Sequence, residues 1–313
     1  MNDVTPRKLT GSLLERAAEV YDFGDHFRAR SGAAAPIADT PPPIAPVRAE
    51  PATPAPPRRM APPPAGPAVP IDREHLAERG FLIPGAAVSM LAEEFRLVKR
   101  QLLLTARAID EADGMRSRAI LVCSAKPGEG KTFCSINLAL SLAAERDVEV
   151  LLVDADFAKP DVMARLGLEE GPGLLDALAD PAIDVESCVV RTDIPKLSLL
   201  PAGTHSNDDT ELLTSKRTDQ VIDALIAADP RRIVIFDSPP ALAASPASVL
   251  AAAVGQVMMV VRADRTGDSD LREAVQLLDG CEHIQLVINS VTFTPGGARF
   301  GSYYGYKPQE SVR

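Results

Sequence analysis

The sequence predicts an α/β fold: a doubly wound, mostly parallel sheet preceded by a disordered Pro/Ala-rich N-terminal region. Three observations predict it. From Ala119 onward, short apolar runs alternate with helical stretches, as strands covered on both faces by helices must. Hydrophobic residues make up 46% of the 313 positions, yet aromatics only 4% and Trp none, so the core is built from Ala, Val, Leu and Ile. And 14 of the 28 prolines fall within 33–70, interleaved with Ala and few charges, a stretch that cannot bury enough surface to offset its ordering entropy.

Taken in order, residues 1–32 hold a short helix, opened by the capping box Ser12-Leu-Leu-Glu15 and carrying Leu13, Leu14, Ala17, Val20 and Tyr21. It is either a docking peptide or a frayed end. Residues 33–70 form the linker. Within 71–107, Leu91, Phe95, Val98 and Leu102 have helical spacing. The main domain spans 108–292. Its apolar runs are Ala119–Cys123, Val148–Val153, Leu197–Leu200, Ile233–Phe236, Val257–Val261 and Leu286–Ile288, with a helix over Thr132–Glu145 after the first. A flexible Tyr-rich tail occupies 293–313, and no internal repeat is evident.

A net charge of −10 argues against a general nucleic-acid binder, which needs a cationic face to displace counterions. Cys123, Cys134, Cys188 and Cys281 form no CxxC pair, as expected of buried free thiols in a reducing cytoplasm. The N-terminus lacks the apolar core of a signal peptide, and no run approaches the ~20 apolar residues of a membrane span. The expected location is cytoplasmic, with any membrane association made through a partner.

The segment Ala125-Lys-Pro-Gly-Glu-Gly-Lys-Thr132 follows one predicted strand and opens a helix, the context a P-loop requires. Gly128 and Gly130 let backbone N–H groups turn toward phosphate oxygens at a helix N-terminus. Lys131 is expected to reach the β- and γ-phosphates, and the Thr132 hydroxyl to ligate Mg²⁺. Lys126, Pro127, Glu129 and Phe133 complete the expected nucleotide loop. Two further apolar runs end in carboxylates, at Asp154 with Asp156, and at Asp237. Alternate strand residues share a face, and ligands lie beyond the carboxyl ends of such strands, so the three acids are expected to gather beside the phosphates.

Together these residues resemble the bacterial tyrosine kinases of capsule and exopolysaccharide systems, a branch of the deviant P-loop ATPases related to MinD and ParA. The resemblance covers roughly 89–306. Pro127–Thr132 matches the family's Walker A motif, Asp154 and Asp156 its A′ motif, and Asp237 to Pro240 its Walker B motif. Asn289 matches a position that contacts adenine in relatives. Glu93-x-x-Arg96-x-x-Lys99 resembles a motif that packs subunits into a ring, with Lys in place of a final Arg. Tyr303, Tyr304 and Tyr306 resemble the family's autophosphorylation sites, and the wording Phe300-Gly-Ser-Tyr-Tyr-Gly-Tyr306 is most like exosortase-associated autokinases. Ala158 departs from the Arg usual in the A′ motif, and Lys159 stands next to it.

The resemblance implies an ATP- and Mg²⁺-dependent protein-tyrosine kinase that phosphorylates its tail in trans and regulates exopolysaccharide synthesis. Lys131, Asp154, Asp156 and Asp237 would be catalytic, with Thr132, Asp156 and Asp237 near the metal. Asp154 is the candidate to orient or deprotonate the incoming phenol. The implied partners are a ring-like homo-oligomer, a membrane activator of the chain-length-determinant type and a tyrosine phosphatase. Lys126 occupies the place of a lysine that ParA and MinD ATPases insert across a dimer. A nucleotide-driven ATPase switch is therefore the alternative, and a non-catalytic scaffold a third reading.

Overall fold

The structure, a computed structural model, describes residues 67–206 and 209–291, without the side chains of 110–113. The expected N-terminal helix, residues 33–66 of the linker and the tail with Tyr303, Tyr304 and Tyr306 lie outside the described residues.

Helices α1 (Arg73–Glu78) and α2 (Met90–Asp113) precede β1 (Ala119–Ser124), with a short 3₁₀ turn (Gly114–Arg118) between. Then follow α3 (Lys131–Ala143), β2 (Glu149–Asp154), α4 (Val162–Arg165), α5 (Leu174–Ala179), β3 (Val190–Arg191), β4 (Leu197–Leu200), α6 (Asp209–Leu213) and α7 (Lys216–Ala227). The last elements are β5 (Arg232–Asp237), α8 (Pro246–Ala253), β6 (Gln256–Arg262), α9 (Asp268–Leu277) and β7 (Ile284–Asn289).

The seven strands are ordered β3-β4-β2-β5-β1-β6-β7. All pairs are parallel except β3 with β4. The central strands are buried along their whole length because helices cover both faces. On one face Leu121, Val153, Phe236 and Met259 pack under helices including α7. On the other, Ile120, Leu152, Ile235 and Met258 pack with Phe95 and Leu102 of α2 and with Ile136 and Leu138 of α3. All four cysteines are buried and free, as the sequence reading expects. Among the described residues, no helix is long and apolar enough to cross a membrane.

Two features depart from expectation. The predicted linker does not run loose to residue 70: Val69 bridges Thr192 beside β3, donating its N–H to the Arg191 carbonyl at 2.8 Å. Ile71, Leu76 and Phe81 are then buried, so this strap covers the domain with apolar anchors that a proline count overlooks. α2, capped by the Ser89 hydroxyl accepting from the Ala92 N–H, extends past the predicted end at 107.

Candidate functional site

β1 delivers the chain into the P-loop, and β5 and then β2 lie to one side of it, in the order β2-β5-β1. Gly128 and Gly130 have φ of +78° and +97°, a region where a Cβ is strained. At Gly130 an added Cβ would also overlap the Asn289 side-chain amide. Gly130 caps α3. The first amides of a helix have no intrahelical acceptor, so the start of α3 presents N–H donors and the positive end of its dipole to an anion.

A cavity of about 410 Å³ opens at this point, lined among others by Gly128, Lys131, Thr132, Asp156, Lys159 and Arg165. Lys131 Nζ lies 2.5 Å from Asp156 Oδ2, and both side chains are largely buried. Burial opposes the Lys131 charge, but Asp237 and Asp156 outweigh it and hold its pKa above the ordinary value. The ammonium is thus charged and held by a carboxylate at the cavity wall, where an incoming phosphate can replace that partner. Lys159 and Arg165 also line the cavity, the Arg165 guanidinium paired with Asp161 at 2.5 Å. Arg165, carried by the four-residue α4, belongs to no motif, and only the fold brings it to the site.

The three expected carboxylates do gather, but in different environments. Asp237 is fully buried and stands opposite Asp154 in the β2–β5 register. The Ser135 hydroxyl donates to Asp237 Oδ1 at 2.8 Å, while Oδ2 is buried without a hydrogen-bond partner. Burial raises the Asp237 pKa to about 6, against the opposing influence of Lys131, Thr132 and Ser135. Asp154 is raised to about 7 by burial and by Asp237. Its oxygens accept the N–H groups of Asp156 (3.2 Å), Asp161 (2.9 Å) and Val162 (2.9 Å). Asp154 therefore anchors the turn that follows β2 and does not line the cavity. The expectation that Asp154 and Asp156 share a strand face fails because β2 stops at Asp154, after which the period-two rule no longer applies.

Among the described residues, no cluster of three or more His, Cys, Asp or Glu forms a protein-only metal cage. Mg²⁺ does not require one, because it retains waters and binds through one or two carboxylates plus substrate phosphates. The unpartnered Asp237 Oδ2 and the nearby Thr132 hydroxyl fit such an ion.

Other expected site residues have different surroundings. The Glu129 side chain is 2% exposed and turned away from the cavity. Asn289 donates its amide to the Glu129 carbonyl at 2.9 Å and so supports the loop from behind. The Phe133 ring stacks on Phe81 of the strap, with centroids 5.4 Å apart, and also borders the cavity. Lys126 pairs with Asp270 of the same chain at 2.6 Å. Glu93 pairs with Arg96 at 2.5 Å on α2. Lys99 faces inward: its ammonium donates to the Ser141 carbonyl at 2.8 Å and meets Glu145 at 2.7 Å. It ties α2 to the end of α3 within one subunit, because it shares the helix face that buries Phe95 and Leu102.

Known proteins agree with this geometry. The AAA domain family model matches residues 117–290. EpsB of Ralstonia nicotianae, named as a tyrosine-protein kinase, is 33% identical over 206 residues, covering 62% of this chain and 26% of that one. The tyrosine-protein kinase YwqD of Bacillus subtilis is 29% identical over 195 residues, covering 62% of this chain and 78% of that one. The crystal structure of the VpsO kinase domain is 29% identical, with a TM-score of 0.52, covering 65% of this chain and all of that one. The chain spans about a quarter of the length of the EpsB relative. Its P-loop, the cavity beside it and the carboxylate-ended strands occupy the matched region, and the chain belongs to the AAA domain family.

Proposed function

We propose that the chain is an ATP- and Mg²⁺-dependent protein-tyrosine autokinase that phosphorylates Tyr303, Tyr304 and Tyr306 in trans and regulates exopolysaccharide synthesis. The observation that carries this reading is the Lys131–Asp156 pair at the wall of the cavity beside the P-loop, in a chain whose relatives bear tyrosine-kinase names. Phosphoryl transfer needs positioning and charge neutralisation more than covalent chemistry. Lys131 leaves Asp156 for the β- and γ-phosphates, and the α3 amides hold their oxygens. Thr132 and Asp237 would hold Mg²⁺, which would supply positive charge to neutralise the phosphates. The tyrosine oxygen forms the new P–O bond as the bond from the γ-phosphorus to the ADP oxygen breaks. The phenol proton, with an ordinary pKa near 10, passes to a carboxylate. Asp156 is that acceptor in our reading, because it lines the cavity whereas Asp154 is committed to three backbone N–H groups.

β7 ends at Asn289, whose amide meets the Glu129 carbonyl of the phosphate loop. We assign Asn289 a further contact with adenine. Cytoplasmic placement, recruitment by a chain-length-determinant-type membrane protein, reversal by a tyrosine phosphatase and membership of the exosortase-associated subgroup complete the reading; the last rests on the Phe300–Tyr306 wording.

Transfer in trans requires copies to meet. Met90, Leu97 and Leu104 recur every seven residues along the outer face of α2 and are each about half exposed, at 50, 52 and 50%. Large apolar side chains on the outward face of an amphipathic helix favour a second copy. Leu97→Glu should lower the assembled mass by light scattering and leave the melting temperature within about 2 °C, since surface changes are usually within ±0.5 kcal/mol. An unchanged mass would remove α2 from the assembly.

The test of the whole reading mixes two inactive-by-design variants. Lys131→Met keeps the tail, and the triple change Tyr303→Phe, Tyr304→Phe, Tyr306→Phe keeps the active site. Each alone should give no tail phosphotyrosine with Mg-ATP, whereas the mixture should phosphorylate the tail of the Lys131→Met copy. A mixture as silent as its components would refute transfer in trans.

A further inference from the structure

A second layer of contacts, outside the cavity, holds the phosphate loop from behind. The buried Glu129 carboxylate accepts the Lys126 N–H through Oε2 at 2.9 Å, closing the loop on itself. Its other oxygen, Oε1, accepts the hydroxyl hydrogen of Thr266, in the turn between β6 and α9 and 137 residues away in sequence. Thr266 is itself fixed, since its oxygen accepts the Arg262 N–H at 2.9 Å. The Arg262 guanidinium reaches back to the Gly128 carbonyl at 3.2 Å.

We propose that Thr266 is a positioning residue for nucleotide binding, acting through Glu129 to hold the phosphate loop in its binding shape. The inference rests on the nucleotide reading of the site, and it deepens that reading by adding a residue outside every phosphate-binding motif. The loop contains two glycines in left-handed conformations, Gly128 and Gly130, which have large conformational freedom to lose when phosphate binds. A loop already fixed by its carboxylate and by the β6–α9 turn loses less on binding, so its amides meet the phosphates preorganised. Among the described residues, Thr266 supplies the side-chain hydroxyl given to Glu129 Oε1, and its own acceptor bond to Arg262 N–H orients that hydroxyl. A residue without the hydroxyl leaves a buried carboxylate oxygen unpaired.

The experiment compares Thr266→Val, Thr266→Ser, Glu129→Gln and the Thr266→Val/Glu129→Gln pair in the full chain. Two readouts are used: hydrogen exchange of the Lys126 amide without nucleotide, and Mg-ATP affinity by titration. Thr266→Val, which keeps shape and loses the hydroxyl, should speed Lys126 exchange several-fold and weaken Mg-ATP about tenfold. Thr266→Ser should restore both. Glu129→Gln should weaken binding as well, and the double variant should bind no more weakly than Glu129→Gln alone, since both changes break one linkage. Wild-type exchange at Lys126 in Thr266→Val, or Ser as defective as Val, would overturn the positioning role. A wild-type chain that binds no Mg-ATP would overturn the nucleotide reading instead, while the exchange comparison would still decide the role of Thr266.

Discussion

Replacing Lys131 by Met should lower Mg-ATP affinity on the order of 100-fold and reduce tail phosphotyrosine to background. Hydrogen bonds to charged groups are each worth about 1.5–3 kcal/mol, and each 1.36 kcal/mol is a factor of ten. Met fills a similar volume along the same path but offers no donor to the phosphates. It also leaves Asp156, now 2.5 Å from the lysine ammonium, as an uncompensated negative charge where phosphate must enter. The fold should survive, because the lysine stands at the start of α3 and the core beneath it is made by residues such as Ile136 and Leu138. Titration calorimetry gives the affinity, and a phosphotyrosine antibody gives the activity. Wild-type signal in purified Lys131→Met protein would mean that the site lies elsewhere.

Asp237→Asn should separate stability from activity, raising the first and abolishing the second. Burial lifts the Asp237 pKa to about 6 and, with Asp237 nearby, that of Asp154 to about 7. The unfolded value is near 4, so between about pH 4 and 7 the folded chain holds more protons than the unfolded one. Stability of the nucleotide-free protein therefore falls as pH rises through that window, and it is lowest where both acids are ionised. An Asn at 237 removes one buried charge. At pH 8 the gain should be roughly 1–2 kcal/mol, or about 3–6 °C in melting temperature for a domain of this size. The gain should shrink at pH 5, where wild-type Asp237 is itself mostly protonated. Activity should vanish because an amide cannot take the place of the carboxylate beside Thr132. A variant that melts earlier at pH 8, or that retains phosphotyrosine signal, would contradict the assignment.

Much of the fold was legible because parallel strands buried on both faces are written as unbroken apolar runs. All six expected runs are strands, with ends shifted by one or two residues at most positions. Val190–Arg191 escaped notice because two residues carry no period. The phosphate loop was legible because its chemistry depends on local spacing, from Gly128 to Thr132. Side-chain direction was not. Lys99 belongs to an apparent surface motif, but its position on α2 turns it toward Ser141 and Glu145. The role expected of Asp154 toward the phenol depends on Asp154 facing the site, which only the end of β2 decides. Arg165 and Thr266 had no local signal, because one is carried to the cavity by a short helix and the other meets Glu129 across the sheet order.

The most direct test of the central claim is the intact mass of the purified full chain after incubation with Mg-ATP. The autokinase reading predicts mass steps of one phosphate each, with digestion placing them in the peptide that contains Tyr303, Tyr304 and Tyr306. Nucleotide turnover with no change in mass would contradict it and identify the chain as an ATPase switch.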